Sequence, residues 1–134
     1  MAHENAEVVR RFIAHVNEQD LPTALAYLAP GAELDWSDSE APDSGRFNGA
    51  DEWGRWLEGR WEGLADASFE ASEIVDLGAD RVLLVAHMRG RGRASGVQTQ
   101  GLGAAVITLL DGRITGLRLY QSRREAMAAL GLDG

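Results

Sequence analysis

Few residues in this chain are equipped for chemistry. Asp38 stands two residues after Trp36 at the end of an alternating stretch, so the two share a face for as long as the strand persists. A carboxylate beside an indole in apolar surroundings has its pKa raised by desolvation and can serve as a general acid or base. The same Asp38 is followed by Ser39, Glu40 and Asp43, which also reads as a solvated acidic loop. His3, His15 and His87 are scattered without HxH, HxxxH or HExxH spacing, so no metal site is expected. His15 could reach a cavity mouth or sit at a helix edge. Arg89, Arg91 and Arg93 alternate and project from one face. Alone they suggest an anion site; as a row they could equally pair with Glu70 or Glu73 across strands, or face a partner subunit. Gly90-Arg-Gly-Arg lacks both the G-x-x-x-x-G-K-[ST] and the strand-to-helix G-x-G-x-x-G contexts, so it is no nucleotide loop. None of these groups calls for a cofactor.

Composition closes further routes. The 134 residues are 45% hydrophobic and 25% charged, the make-up of one globular domain spanning 1–134. Thirteen arginines and no lysine face twenty-one acids, a formal charge of -8 that gains nothing from a phosphate backbone or an anionic membrane surface. Nucleic acid and membrane are therefore not expected partners. The absence of cysteine removes thiolate nucleophiles, disulfides and Cys-ligated metals. No apolar run approaches the roughly 20 residues of a membrane span, and the polar start at His3, Glu4 and Asn5 points to a cytoplasmic protein.

The elements that must position these side chains follow from periodicity. Ala6, Val9, Phe12, Ile13 and Val16 recur at helical spacing over 5–17. Asp20 caps a second short helix with Pro22 in its first turn and Ala24, Leu25 and Leu28 as its stripe, ended by Pro30-Gly31. Residues 32–37 alternate as a strand, with Ala32, Leu34 and Trp36 inward and Glu33 and Asp35 outward. A polar loop over 38–48 leads to Asn48 as the cap of a third helix, on which Trp53, Trp56, Leu57, Trp61 and Leu64 form one stripe. That stripe is either plain core or the wall of a ligand site. Strands are predicted over 68–77, 81–93, 97–110 and 113–121, joined by turns of which Asp111-Gly112 carries the type I′ signature. Ser122-Arg-Arg-Glu125 is a capping box for a final helix ending at Gly131. Helices followed by an antiparallel meander define an α+β fold, and a curved sheet around a long helix leaves a cavity at its open end.

This element order, with VVRRFIAHVNEQDLPTALAYLAPGAELDW at the front and DGRITGLRLYQSRREAMAALGL at the back, resembles the nuclear-transport-factor-2-like superfamily in its SnoaL-like and ketosteroid-isomerase-like branch. The resemblance implies a cone: a curved, mainly antiparallel sheet wrapped around N-terminal helices. It also implies a homodimer through the convex sheet face. Members of this branch include isomerases, cyclases, hydrolases, dehydratases and non-enzymatic binders. Laid on the steroid-isomerase pattern, Phe12 takes the tyrosine position, Trp36 the base position and Ala105 that of the second acid. None of the three can move the proton that enolisation requires, so ketosteroid isomerisation is rejected. The resemblance implies for cyclase members of the branch a last-strand aspartate with an earlier-strand histidine, and the corresponding regions here are Leu117-Arg118-Leu119 and Arg91-Gly92-Arg93, so that chemistry is unsupported too.

The resemblance makes the face of Val82, Leu84, Ala86 and Met88 the pocket side, leaving His87 on the convex face. Thr99, Gly101, Gly103, Ala105 and Ile107 should line the cone, opposite Gln98, Gln100, Leu102, Ala104 and Val106. The small residues leave either close helix packing or open space. The expected pocket thus combines Phe12, Trp36, Trp53, Trp56, Leu84, Met88, Thr99, Gly101, Gly103, Ala105, Leu117 and Leu119, with Trp36, Thr99, Gln121 or Asp38 orienting a ligand. Two functions follow. One is a cofactor-free binder of a small hydrophobic molecule, with isomerase, cyclase or hydrolase chemistry if Asp38 is its acid or base. The other is a non-catalytic dimeric module.

Overall fold

The computed structural model describes residues 2–36 and 45–131. Helix α1 (Ala2–Asn17) buries Val9, Phe12, Ile13 and Val16, while Glu7 pairs with Arg10 and Arg11 on its open side at 3.0 and 3.2 Å. Helix α2 (Leu21–Leu25) is capped by Asp20, whose Oδ1 accepts from the Thr23 amide at 3.4 Å, with Pro22 in the first turn. It stops earlier than its sequence stripe suggests. Strand β1 (Leu28–Asp35) already includes Pro30 and Gly31, and an irregular register between Leu28 and Glu33 accommodates the missing Pro30 N–H and the positive φ of Gly31.

Part of the predicted 38–48 loop is a strand, β2 (Arg46–Asn48), paired antiparallel to β1. Its pairing has a consequence for Asp35. With Arg46 opposite on one side and Arg118 on the other, Asp35 is buried rather than outward in solvent, and its Oδ2 lies 3.6 Å from Arg46 Nε. Helix α3 (Gly49–Gly63) begins where expected, but the Asn48 side chain makes no capping bond. Instead the Asn48 amide donates to Glu52 Oε1 at 3.1 Å.

The second half is the predicted meander: β3 (Leu64–Gly78), β4 (Arg81–Gly92), β5 (Gln98–Leu110) and β6 (Arg113–Tyr120), each antiparallel to the next. Asp111 and Gly112 have φ of 52° and 77°, as a type I′ turn demands; Ala79 and Asp80 also turn through positive φ. The sheet order is β2-β1-β6-β5-β4-β3, with β1 parallel to β6. Extra residues at Ser72 and Thr115 break the alternation, so that Phe69 and Ile74 on β3, and Ile114 and Leu117 on β6, all pack on the same inner core. Such bulges also bend the strands that carry them.

Helices α1 and α3 lie against one face of this curved, unclosed sheet, giving the expected α+β architecture. Helix α4 (Arg123–Ala129) lies on the other. Ser122 Oγ accepts from the Glu125 amide at 3.1 Å, and Glu125 reaches back to the Gln121 amide at 3.2 Å, completing a capping box one residue wider than its simplest form. Ala126 then packs on Leu83, Val85, Ala104 and Val106, and Arg123 bonds Glu73 at 2.8 Å. No helix among the described residues is long and apolar enough to cross a membrane.

Candidate functional site

The inner core is held by a few directional contacts. Trp53 is 1% exposed, and its Nε1–H donates to the Ala32 carbonyl at 2.9 Å, fixing α3 on β1. Phe12 of α1 meets Trp53 edge-on, with centroids 6.2 Å apart. Asn17, the last residue of α1, grips the backbone of Phe69 twice: its Nδ2 donates to Phe69 O and its Oδ1 accepts from Phe69 N, both at 2.8 Å. The helix thereby acts as a neighbouring strand for one residue of β3.

Between these supports the side chains leave a cavity of about 60 Å³. Helix α1 contributes Phe12, Ile13 and Val16; α3 contributes Trp53, Trp56 and Leu57; β1 and β3 give Leu34 and Phe69. The meander floor is Leu84, Ala86, Met88, Gly103, Ala104, Ala105, Leu117 and Leu119. None of the described side chains in this lining is ionisable. Trp56, Phe69, Met88 and Leu119 are half-buried whereas the remaining lining residues are buried, which places the mouth among those four.

Of the residues singled out by sequence, Phe12, Trp53, Trp56, Leu84, Met88, Gly103, Ala105, Leu117 and Leu119 line this cavity. Trp36 is buried in the same core but one step beyond Leu34, outside the lining, with its amide donating to Gly45 O at 2.8 Å. Gly101 is exposed, with open space where a side chain would stand. The side chain of Thr99 and the whole of Asp38 lie outside the described residues. The volume expected above the small residues of β5 is largely taken, because Met88 Cε reaches to 3.0 Å from where a Cβ on Gly103 would sit. Ile13, Val16, Leu34, Leu57, Phe69, Ala86 and Ala104 complete the wall; periodicity already puts Ile13, Val16, Leu34 and Leu57 on inner faces, whereas Ala104 was expected on the opposite face of β5.

The polar groups lie elsewhere. Arg60 places its guanidinium carbon 5.2 Å from the Trp56 ring centroid and 5.6 Å from that of Phe69, over the two aromatic residues of the mouth. Trp56 Nε1 is buried without a hydrogen-bond partner among the described residues. His15 stacks on Tyr27 and meets Glu18 at 3.1 Å, so it is a helix-edge residue. His87 sits between the lining residues Ala86 and Met88 and hence on the opposite, convex face. The arginine row is paired: Arg89 with Glu70 at 3.7 Å and Arg91 with Asp66 at 3.4 Å, while Arg93 donates to Trp61 O. Glu73 serves Arg123 instead. Among the described residues no three His, Asp or Glu side chains converge as a metal-binding group.

Comparison with known proteins agrees with this architecture. No curated protein matches the sequence. Among solved structures, an NTF2-like protein from Burkholderia xenovorans is 24% identical over 90% of each chain, with a TM-score of 0.75. A protein proposed to be a polyketide cyclase, from Xanthomonas campestris, is 19% identical over 95% of this chain and 96% of its own, with a TM-score of 0.76. A hypothetical protein of ketosteroid isomerase-like fold from Catenulispora acidiphila, solved in complex with trimethylamine, is 16% identical over 94% and 93%, with a TM-score of 0.75. These likenesses show a shared fold. The family model of the SnoaL-like domain matches residues 9–117, from the first buried valine of α1 to the floor residue Leu117, and the chain therefore belongs to the SnoaL-like domain family.

Proposed function

We propose that this chain binds a small hydrophobic molecule in the cavity beneath α1 and α3. The observation that carries the reading is the lining itself, in which the described side chains are aliphatic and aromatic and none is ionisable. Its volume, far below the roughly 300–1,000 Å³ of a drug-sized site, suits a ligand of a few heavy atoms. The trimethylamine bound by the Catenulispora protein is a molecule of that size. Binding is favoured over turnover because none of the described lining side chains can take up or deliver a proton.

Xenon is a suitable first probe, since dry apolar cavities take it up. Under xenon pressure the methyl signals of Leu84, Leu117 and Ala105 are expected to shift in the wild type. Ala105→Leu should remove that response by filling the space, at a cost of about 1–3 kcal/mol for overpacking. An Ala105→Leu protein that answers xenon like the wild type would count against the reading.

A second reading concerns assembly. Helix α4 covers Leu83, Val85, Ala104 and Val106 on the convex face, but Leu102 further along β5 remains 47% exposed beside Gln100 and Arg89. We propose that two copies pair across this uncovered end. Light scattering during size-exclusion chromatography should give twice the chain mass, and Leu102→Glu should return it to the monomer. A wild type that stays monomeric at high concentration would remove the proposal.

A further inference from the structure

Resting on the reading of the cavity as a binding site, we infer that Met88 is its movable gate and that the ligand it admits is an uncharged compound built on one aromatic ring. The tip of Met88 has two berths on the neighbouring strand. In the occupied one, Met88 Cε stands 3.0 Å from where a Cβ on Gly103 would be, so it lies in space that only a glycine leaves. The other is over Gly101, the residue paired directly with Met88 across β4 and β5. Gly101 is exposed, and beyond its chain neighbours no described heavy atom lies within 4 Å of the place its Cβ would take. Gly101 and Gly103 are two positions apart on a strand of unbroken register, so they share the inner face with Met88. An unbranched thioether side chain with three rotatable bonds can pass from one berth to the other without moving the backbone.

The two positions give the site two sizes. With the tip over Gly103 the cavity holds about 60 Å³, well short of the roughly 150 Å³ in which a dry apolar cavity takes up benzene. With the tip over Gly101, the floor between Ala105 and the mouth is released to the ligand. Moving outward takes the thioether off the buried floor, a loss of contact that an apolar ligand restores and an empty site does not. The ring follows from what surrounds the gate. Phe69 is paired with Met88 from the β3 side, Trp56 stands with both at the mouth, and Phe12 and Trp53 lie further in. Aromatic side chains and a thioether sulfur all gain from contact with a further ring. None of the described lining side chains is ionisable, so a charged substituent finds no opposite charge among them.

The test uses full-length protein 13C-labelled at the methyl groups of its three methionines, with Met88→Ala identifying the Met88 signal. The probes are xenon, which suits the cavity as it stands, benzene and cyclohexane. In the free protein the Met88 methyl should show a nuclear Overhauser contact to the Gly103 α-protons; with benzene this contact should pass to Gly101, while benzene itself reaches Gly103. Gly101→Val fills the outer berth with a residue suited to a strand, and should weaken benzene binding about tenfold or more while leaving the xenon response in place, because Gly101 is outside the lining. In a Met88→Ala background there is no tip to accommodate, so Gly101→Val should then leave benzene binding unchanged. Cyclohexane, of similar size but without π-faces, should bind about threefold or more weakly than benzene. The inference falls if xenon binds and benzene does not, if benzene binds with the Met88 methyl still at Gly103, if Gly101→Val leaves benzene binding unchanged or weakens it equally with and without Met88, or if cyclohexane binds as tightly as benzene. A wild type that takes up neither xenon nor benzene removes the cavity reading itself.

Discussion

Trp53→Ala is expected to lower the free energy of unfolding by about 4 kcal/mol, within the roughly 3–5 kcal/mol typical of a buried aromatic cut to alanine. The side chain is 1% exposed, lies edge-on to Phe12 and bonds Ala32 O. Its removal therefore takes away apolar burial, an aromatic contact and the link between α3 and β1, and leaves a buried carbonyl without its donor. Trp53→Phe separates these contributions. It keeps most of the ring and loses the hydrogen bond, so its cost should be nearer 1–2 kcal/mol, a rough sum of one unmade bond and a small loss of volume. Urea unfolding followed by circular dichroism measures both. Equal costs for the two variants would show that the bond to Ala32, rather than packing, dominates. The alanine variant should also admit larger apolar probes, since the lost indole borders the cavity.

Asn17→Ala is expected to cost about 2 kcal/mol, two hydrogen bonds at roughly 1 kcal/mol each. The effect has a definite address. Both bonds end on the backbone of Phe69, whose ring lines the cavity and lies beneath Arg60. Hydrogen exchange at the Phe69 amide should accelerate in the variant more than exchange in the β5–β6 hairpin, because β3 is an edge strand that Asn17 holds from its open side. Asn17→Asp is the sharper test. It keeps an acceptor for Phe69 N but sets a second acceptor against Phe69 O, so it should recover little of what alanine loses. An Asn17→Asp protein as stable as the wild type would mean that Phe69 O does not need this donor.

Local rules were enough for much of this fold; they failed at the Asn48 cap, whose side chain makes no capping bond, and otherwise mainly where partners are distant in sequence. The turn at Asp111-Gly112, the cap at Asp20 and the box at Ser122 and Glu125 each involve residues within four positions of one another; the first two appear as written, and the box does so with Glu125 reaching the Gln121 amide in place of that of Ser122. The two faces of β4 and β5 were legible because alternation runs unbroken through both, and the family resemblance implied which of them turns inward. The bulges at Ser72 and Thr115 were not, since nothing in a single strand shows that its partner is one residue shorter. Asp35 is buried because Arg46 and Arg118 arrive from β2 and β6, and β2 is too short to announce itself by periodicity. Asn17 and Phe69 are separated by 52 positions, and only folding brings them together.

The cavity was half legible in the same sense. Residue types and periodicity supplied its apolar walls, while its size depended on how Met88 lies across Gly103. A long flexible side chain opposite a glycine can fill or vacate that space by rotation about its own bonds, which no pattern of spacing records.

The parallel pairing of β1 with β6 joins the strands of this sheet that lie furthest apart in sequence. The four meander strands join through short turns, so their contacts close small loops at little entropic cost. Leu34 meets Leu117 only after more than half the chain has been spanned, the kind of contact that raises contact order and slows folding. The apolar floor of the site is then expected to form first, by local hairpins, before α1, α3 and β1 close over it. A chain that folds in this order would expose the apolar face before it is covered, so refolding yield is expected to fall as protein concentration rises.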